Sequence, residues 1–308
     1  MKDTEKNKKK LLKKLNGGVC ARDRSERITM YIVFPLLLIW SITLIYPFAW
    51  ALLNTFKTPV EFYRDSFALP EIWKFENWVK AFTFLQVPKG DPWEKAGFFE
   101  LVWNSVWMTF GGAIIGMFSV SCLAYATAKY SCKWTRLLYK ISVMMMIIPL
   151  FSGGPSLYKL YFQLGLVNTP LRLLTGIGAG MGGMQLLILY SFFVGVSWTY
   201  AEAVFIDGGG HWTVFFKIML PQAMPILTAL FVTTCISGWN DYMTSLMYMN
   251  EYPTLATGLY IVETGSLTAN NKPIYFACIL LSVIPVIAVF WIFCDKIMTN
   301  VSVGGLKG

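Results

Sequence analysis

The sequence predicts an all-α polytopic membrane protein with about six transmembrane helices and one helix-turn-helix insert on the cytoplasmic side. Three observations predict it. The 308 residues are 56% hydrophobic and only 14% charged, with mean hydropathy +0.53. Soluble domains carry about 25% charged residues, so this chain has too few charges to cover a water-facing surface, and lipid takes that role. Six apolar stretches, residues 28–53, 98–128, 137–158, 171–196, 221–249 and 273–298, reach the roughly 20 residues needed to cross a hydrocarbon core about 30 Å thick. Between the fourth and fifth, residues 196–221 are polar, charged and glycine-rich, more than a simple reversal of the chain requires.

The elements follow in order. Residues 1–27 form a basic tail with Lys2, Lys6, Lys8, Lys9, Lys10, Lys13, Lys14, Arg22, Arg24 and Arg27. Clusters of this kind hold a terminus in the cytoplasm and touch anionic lipid. They account for most of the +9 net charge, so its distribution argues against nucleic acid as a partner. The tail has no apolar region of its own. The first stretch is too long for a signal peptide and no small-residue cleavage site follows it, so it is expected to stay as an anchor.

With that tail inside, residues 54–97 form a long outer loop. It contains Trp73, Trp78 and Trp93 among Pro59, Pro70, Pro88 and Pro92, the composition of a small folded cap with interfacial aromatics. The short inner loop holds Lys129, Lys133, Arg136 and Lys140, as the positive-inside rule requires. The third stretch is interrupted by Pro149 and by Ser152-Gly153-Gly154-Pro155, and the fourth by the glycines from 176 to 183. Backbone groups in lipid must be satisfied internally, so these breaks read as kinks packed against neighbouring helices. Gly112 with Gly116, Gly176 with Gly180 and Gly178 with Gly182 have the spacing that lets helix backbones approach. Residues 28–298 thus read as one transmembrane domain, and 299–308 as a cytoplasmic tail.

Chemistry-bearing residues are sparse. Cys20, Cys122, Cys132, Cys235, Cys278 and Cys294 form no CxxC pair and read as small hydrophobes rather than a disulfide framework or zinc site. Met144-Met145-Met146 reads as helix packing, and His211, the lone histidine, offers no metal site or proton relay. No nucleophile–base constellation or paired carboxylate stands out, and no G-x-x-x-x-G-K-[ST] phosphate loop occurs. The chain is therefore expected to be neither an enzyme nor an ATPase, and to carry no cofactor or metal of its own.

The 196–221 insert has its own logic. Ser197 can cap a short helix beginning at Trp198, with Glu202 on its first turns, where an acid suits the helix dipole. Gly208, Gly209 and Gly210 stop that helix. A second helix follows with Trp212, Phe215, Phe216 and Met219 on one apolar face, ended by Leu220-Pro221. A groove on another protein is the expected cover for that face.

Glu202, Ala203, Asp207, Gly208, Ile218, Leu220 and Pro221 resemble the EAA loop of ABC-importer permease subunits, whose pattern is close to Glu-Ala-Ala-x-x-Asp-Gly-Ala and then Ile-x-Leu-Pro. Val204 and Gly209 stand where alanines are usual, which reads as one enlarged contact and a looser turn. Trp239-Asn240-Asp241-Tyr242 and the closing Gly304-Gly305-Leu306-Lys307-Gly308 resemble the carbohydrate-uptake, maltose-permease-like branch. The resemblance implies half of an import channel in the bacterial plasma membrane, multi-pass, with both termini cytoplasmic. It implies a second homologous permease, a pair of ATPase subunits that bind ATP and Mg, an extracellular solute-binding protein and a carbohydrate substrate. Glu202 would pair with an ATPase arginine.

Substrate-pathway candidates are Trp239, Asn240, Asp241, Asn104, Gln185 and Tyr190. Ionisable groups within spans face a bundle interior or a watery cavity, which favours Asp241; the others serve equally as interhelical hydrogen-bonding groups. The rival reading is a secondary transporter driven by an ion gradient. It expects midplane acids and repeats, and leaves the insert without a role.

Overall fold

A computed structural model describes residues 24–148, 153–176, 183–265 and 271–303. The basic tail up to residue 23, Pro149, Ser152, Gly178, Gly180, Gly182 and the closing 304–308 run lie outside the described residues. The chain divides into two compact units, residues 1–54 and 55–308. Helix α1 (Arg24–Thr55), nearly all of it in the first unit, is apolar and exposed from Tyr31 to Ala49, as a lipid-facing span would be. It begins four residues before the predicted first stretch.

The second unit opens with the 54–97 segment, which is folded. Helix α2 (Pro59–Arg64) starts in a capping box, where Thr58 Oγ1 accepts from Glu61 N–H and the Glu61 carboxylate accepts from Thr58 N–H at 2.9 Å. Two backbone donors are thereby satisfied reciprocally. Helix α3 (Glu76–Phe84) and the antiparallel hairpin of β1 (Val87–Lys89) and β2 (Asp91–Ala96) follow. Lys57 is only 1% exposed, and its Nζ donates to the Asp65 carbonyl at 3.0 Å. Burial pushes the Lys57 ammonium below its usual pKa. Trp78 Nε1 donates to Thr55 Oγ1 and its ring lies against Phe56, while Trp93 on β2 is fully exposed.

Helix α4 (Phe98–Lys129) is the scaffold. Its first turns join α3, the hairpin, α11 (Leu255–Thr264) and α12 (Lys272–Val303) in one apolar cluster with Leu85, Val87, Leu101, Leu255, Ile274 and Cys278. Its last turns join α7 (Met184–Gly195), α8 (Thr199–Ile206) and α9 (His211–Trp239) in a second, with Val120, Tyr125, Phe193, Val214, Phe215 and Met219. Leu101 and Val120 lie about 28 Å apart at roughly 1.5 Å per residue, so the clusters sit about one hydrocarbon thickness apart.

The middle of the chain is broken. The predicted third stretch is divided between α5 (Lys133–Ile147) and α6 (Gly153–Gln163). The fourth begins in a 3-10 turn, Pro170–Thr175, and resumes as α7. A Cβ on Gly116 would lie 3.8 Å from the Gly176 carbonyl, and one on Gly176 equally far from that of Gly112; α4 and the 3-10 turn pack backbone to backbone, as small residues allow. The fifth stretch ends at Trp239, and a separate helix, α10 (Met243–Tyr248), follows. Among the described residues, three helices are long and apolar enough to cross a membrane (Tyr31–Thr55, Phe98–Lys129, His211–Trp239). A fourth counts if α7 and α8, bent by 67° at their junction, form one span, and α12 adds a shorter apolar helix over Lys272–Ala288. Among the described residues α5 ends at Ile147, before Pro149, and α7 begins at Met184, after the glycines.

Candidate functional site

The insert folds as two helices around a glycine turn. Helix α8 starts one residue later than expected, at Thr199, whose N–H donates to Ser197 Oγ at 3.3 Å. It ends in a Schellman motif: Gly209 N–H donates to Val204 O at 2.8 Å, Gly208 N–H to Phe205 O at 3.1 Å, and Gly208 takes φ +78°. Only glycine adopts this left-handed position without steric cost. Glu202, Ala203, Ile206 and Asp207 share the exposed face, with Ile206 86% exposed. Ile206 went unnoticed in the sequence, although its place one turn after Glu202 puts it on the same face.

Two expectations need correction. The second helix does not end at Leu220-Pro221. It passes through a π-helical turn, Val214–Met219, with Leu220 N–H donating to Phe215 O, and continues to Trp239. A proline ring clashes with the carbonyl four residues back, and the widened π turn gives Pro221 room. Nor does the apolar face await a foreign groove as a whole. Phe215 and Met219 are buried against Tyr125 and Phe193 of the same chain. Trp212, 72% exposed, and Phe216 remain outside, stacked on each other with centroids 5.8 Å apart.

Gly209 does not loosen the turn as its sequence suggests. A Cβ there would lie 2.5 Å from Val204 Cγ1 and 3.0 Å from Val204 O. The glycine makes room for the valine rather than loosening the turn. Of the remaining matched positions, Ile218 is half-buried, Leu220 packs on the second cluster and Pro221 is exposed.

The turn is fastened to the transmembrane helices. Tyr130, just after α4, bonds His211 Nδ1 through its hydroxyl at 2.8 Å, and its ring meets those of Trp198 and His211 edge-on. Phe205 closes the group against Trp198 and His211. Lys129 Nζ donates to Val196 O, a cation at the C-terminus of α7. The turn is thus bonded to the end of α4, and the end of α4 to that of α7.

The far end of α9 leads to the second site. A cavity of about 240 Å³ is lined by Met108 and Gly112 of α4, Arg172 of the 3-10 turn, Gly238 of α9, and Asp241 and Thr244 beyond it. Asp241 Oδ1 accepts from Thr244 N–H at 3.0 Å. Of the six pathway candidates only Asp241 lines this cavity. Asn104 donates to Pro253 O at 3.1 Å and accepts from Trp107 Nε1. Gln185 donates to Thr234 Oγ1 at 2.8 Å, Tyr190 stacks on Tyr139 at 4.3 Å, Asn240 donates to Ile236 O, and Trp239 packs on the first cluster. Arg172 was missed; a lone arginine near the start of an apolar stretch was the available signal.

A helical chain with several apolar spans, and a glycine turn bonded to their ends, has the architecture of a membrane-embedded subunit. The chain belongs to the family of binding-protein-dependent transport system inner membrane components, which it matches over residues 120–294. It is a multi-pass membrane subunit of an ABC importer, a system that includes a solute-binding protein and an ATPase. It is 29% identical to the diacetylchitobiose uptake system permease protein of Streptomyces coelicolor, over 92% of this chain and 91% of that one. It is 26% identical to an arabinooligosaccharides transport system permease protein of Halalkalibacterium halodurans, over 86% and 91%. Its fold is similar to a chain in the crystal structure of a bacterial ABC transporter involved in the import of the acidic polysaccharide alginate, with TM-score 0.70, 21% identity, and 90% and 99% of the two chains covered.

Proposed function

We propose that this chain forms half of the translocation pathway of an ATP-driven oligosaccharide importer, paired with a second, homologous permease. The 196–221 loop, on the cytoplasmic side with both termini, docks on one of two ATPase subunits through Glu202, Ala203, Asp207, Gly208 and the exposed Ile206. The solute-binding protein delivers sugar to the opposite, outer side. The observation that carries this reading is α9. It starts at the docking turn and runs 29 residues, about 43 Å at 1.5 Å per residue, to the segment that places Asp241 in the cavity. One continuous helix therefore links the position of the turn to the shape of the pathway. The relatives' names support a carbohydrate as cargo.

Co-purification with a tagged chain tests it. Wild type retains a second permease and the ATPase. Glu202→Lys reverses the charge of the exposed face, and Gly208→Pro is incompatible with φ +78°; both lose the ATPase while the chain stays in the membrane. Retention of the ATPase by both variants contradicts the docking assignment. Sugar uptake that survives ATP depletion but collapses with an ionophore supports the secondary-transporter reading instead.

A further inference from the structure

The cavity at the end of α9 carries one charge of each sign. Arg172 and Asp241 both line it, yet no ion pair joins them among the described residues. Each is held by something else. The Arg172 guanidinium lies 4.3 Å from the Tyr161 ring centroid and 5.0 Å from that of Tyr248, and those two rings meet edge-on at 5.4 Å. Cation–π contact holds the flat faces of the group and leaves its N–H edge for hydrogen bonds. Thr175 Oγ1 takes one of those donors through Nη1, while Nε is buried and meets no protein acceptor. On the other side Asp241 engages Thr244 N–H through Oδ1, with no protein donor on Oδ2 among the described residues. The lining therefore holds a guanidinium and a carboxylate, each fixed by other partners and independently of the other.

A ligand that satisfies both must offer acceptors and donors on one small frame. A hydroxyl does each. An anion is drawn to Arg172 but opposed by Asp241, and the lining has no net charge to neutralise it. The volume, about 240 Å³, falls below the roughly 300–1,000 Å³ of pockets for drug-sized ligands, a scale for one ring rather than a whole oligosaccharide. We infer that Arg172 and Asp241 form a hydroxyl-reading site for a single neutral sugar ring on the translocation path, Arg172 donating to the ring and Asp241 accepting from it. This rests on the carbohydrate reading above and adds to it both the residue pair and the charge class of the cargo.

The test uses the full complex in proteoliposomes: both permeases, the ATPase and the binding protein, with assembly of each variant checked by co-purification. Probes are radiolabelled diacetylchitobiose and arabinotriose as neutral sugars and an oligogalacturonate as a carboxylated one. Wild type takes up a neutral probe in preference. Asp241→Asn keeps the acceptor for Thr244 N–H but makes the cavity net positive. Arg172→Lys keeps the charge but loses the planar fork. Each raises the KM for the neutral sugar about tenfold or more, the loss of one charge-assisted hydrogen bond, and Asp241→Asn shifts the preference toward the oligogalacturonate. Should these variants not assemble, Gly112→Ala serves in their place. Its methyl enters the lining and meets only Leu173 Cδ2, at 3.8 Å, so the fold tolerates it while the narrowed cavity raises the same KM. Unchanged KM values in the variants that assemble, or a wild type that prefers the carboxylated probe, overturn the inference and leave the importer intact. An assembled wild type that imports none of the sugars overturns the carbohydrate reading as well.

Discussion

Replacing Gly209 with alanine separates two explanations of the glycine-rich docking turn. If the turn needs flexibility at this position, any side chain harms it. If Gly209 only makes room for Val204, a smaller residue at 204 repairs the damage. Gly209 is not among the positive-φ glycines, so alanine has no backbone penalty there. What the new Cβ meets is Val204: Cγ1 at 2.5 Å and the carbonyl at 3.0 Å. Carbon atoms settle about 3.5–4.0 Å apart, so the overlap exceeds an ångström. A branched side chain with few rotamers cannot swing clear. Overpacking of this kind costs about 1–3 kcal/mol. The carbonyl involved also accepts the 2.8 Å bond from Gly209 N–H, worth about 0.5–1.5 kcal/mol when lost.

The combined effect, about 2–4 kcal/mol, falls on local closure of the turn, so it is read by hydrogen exchange of the Gly209 and Gly208 amides and by titration with the ATPase. Val204→Ala combined with Gly209→Ala recovers most of the loss, a coupling of about 1–3 kcal/mol in a double-mutant cycle. Gly208→Ala is the control. Nothing lies within 4 Å of its Cβ, but φ is +78°; its cost of about 1–2 kcal/mol is conformational, and Val204→Ala does not recover it. Additive behaviour of the 204 and 209 substitutions, or a silent Gly209→Ala, refutes the size-complementarity argument.

Two further outcomes follow from the opposite end of the molecule. Asn104→Leu strips Pro253 O of its donor and Trp107 Nε1 of its acceptor, at about 1–3 kcal/mol for each group left unsatisfied. The thermal midpoint in detergent falls by several degrees, and a change within about 1 °C refutes a structural role. In the 54–97 cap, the Thr58 N–H holds the Glu61 carboxyl below its ordinary value of 4.5, and the Phe67 and Ala68 N–H groups do the same for Asp65. A depressed carboxylate stabilises the fold above the unfolded-state value and loses that contribution as pH falls through the folded one. The exchange protection of α2 in wild type over Glu61→Gln, compared at matched pH, is therefore steady near neutrality and closes as pH drops below 4.5. A gap that persists at lower pH excludes the capping box as its source.

The legible parts of this protein were those set by short-range rules. Gly208 at a helix C-terminus, the acid of α8 and the apolar length of α1 and α4 follow from neighbours in sequence, because backbone conformation and transfer into lipid act residue by residue. The π turn before Pro221 was not legible, since a proline reads locally as an ending, whereas the burial of Val214, Phe215 and Met219 in the cluster with α4 and α7 holds the helix through it. Partner choice among polar groups was equally hidden. Asn104, Gln185 and Asp241 look alike as polar residues in apolar runs, and what distinguishes them is where their partners lie: Asn104 and Gln185 bond to Pro253 O and Thr234 Oγ1, far off in sequence, while Asp241 accepts from Thr244 N–H three residues on. Sequence by itself determined that this chain lives in lipid and carries a glycine-capped turn between two of its apolar helices. The tertiary structure alone decided that the turn is tied to the end of α4 through Tyr130 and His211, and that Arg172 meets Asp241 across a cavity. Those contacts join segments 81 and 69 residues apart in sequence, and no local energy term encodes them.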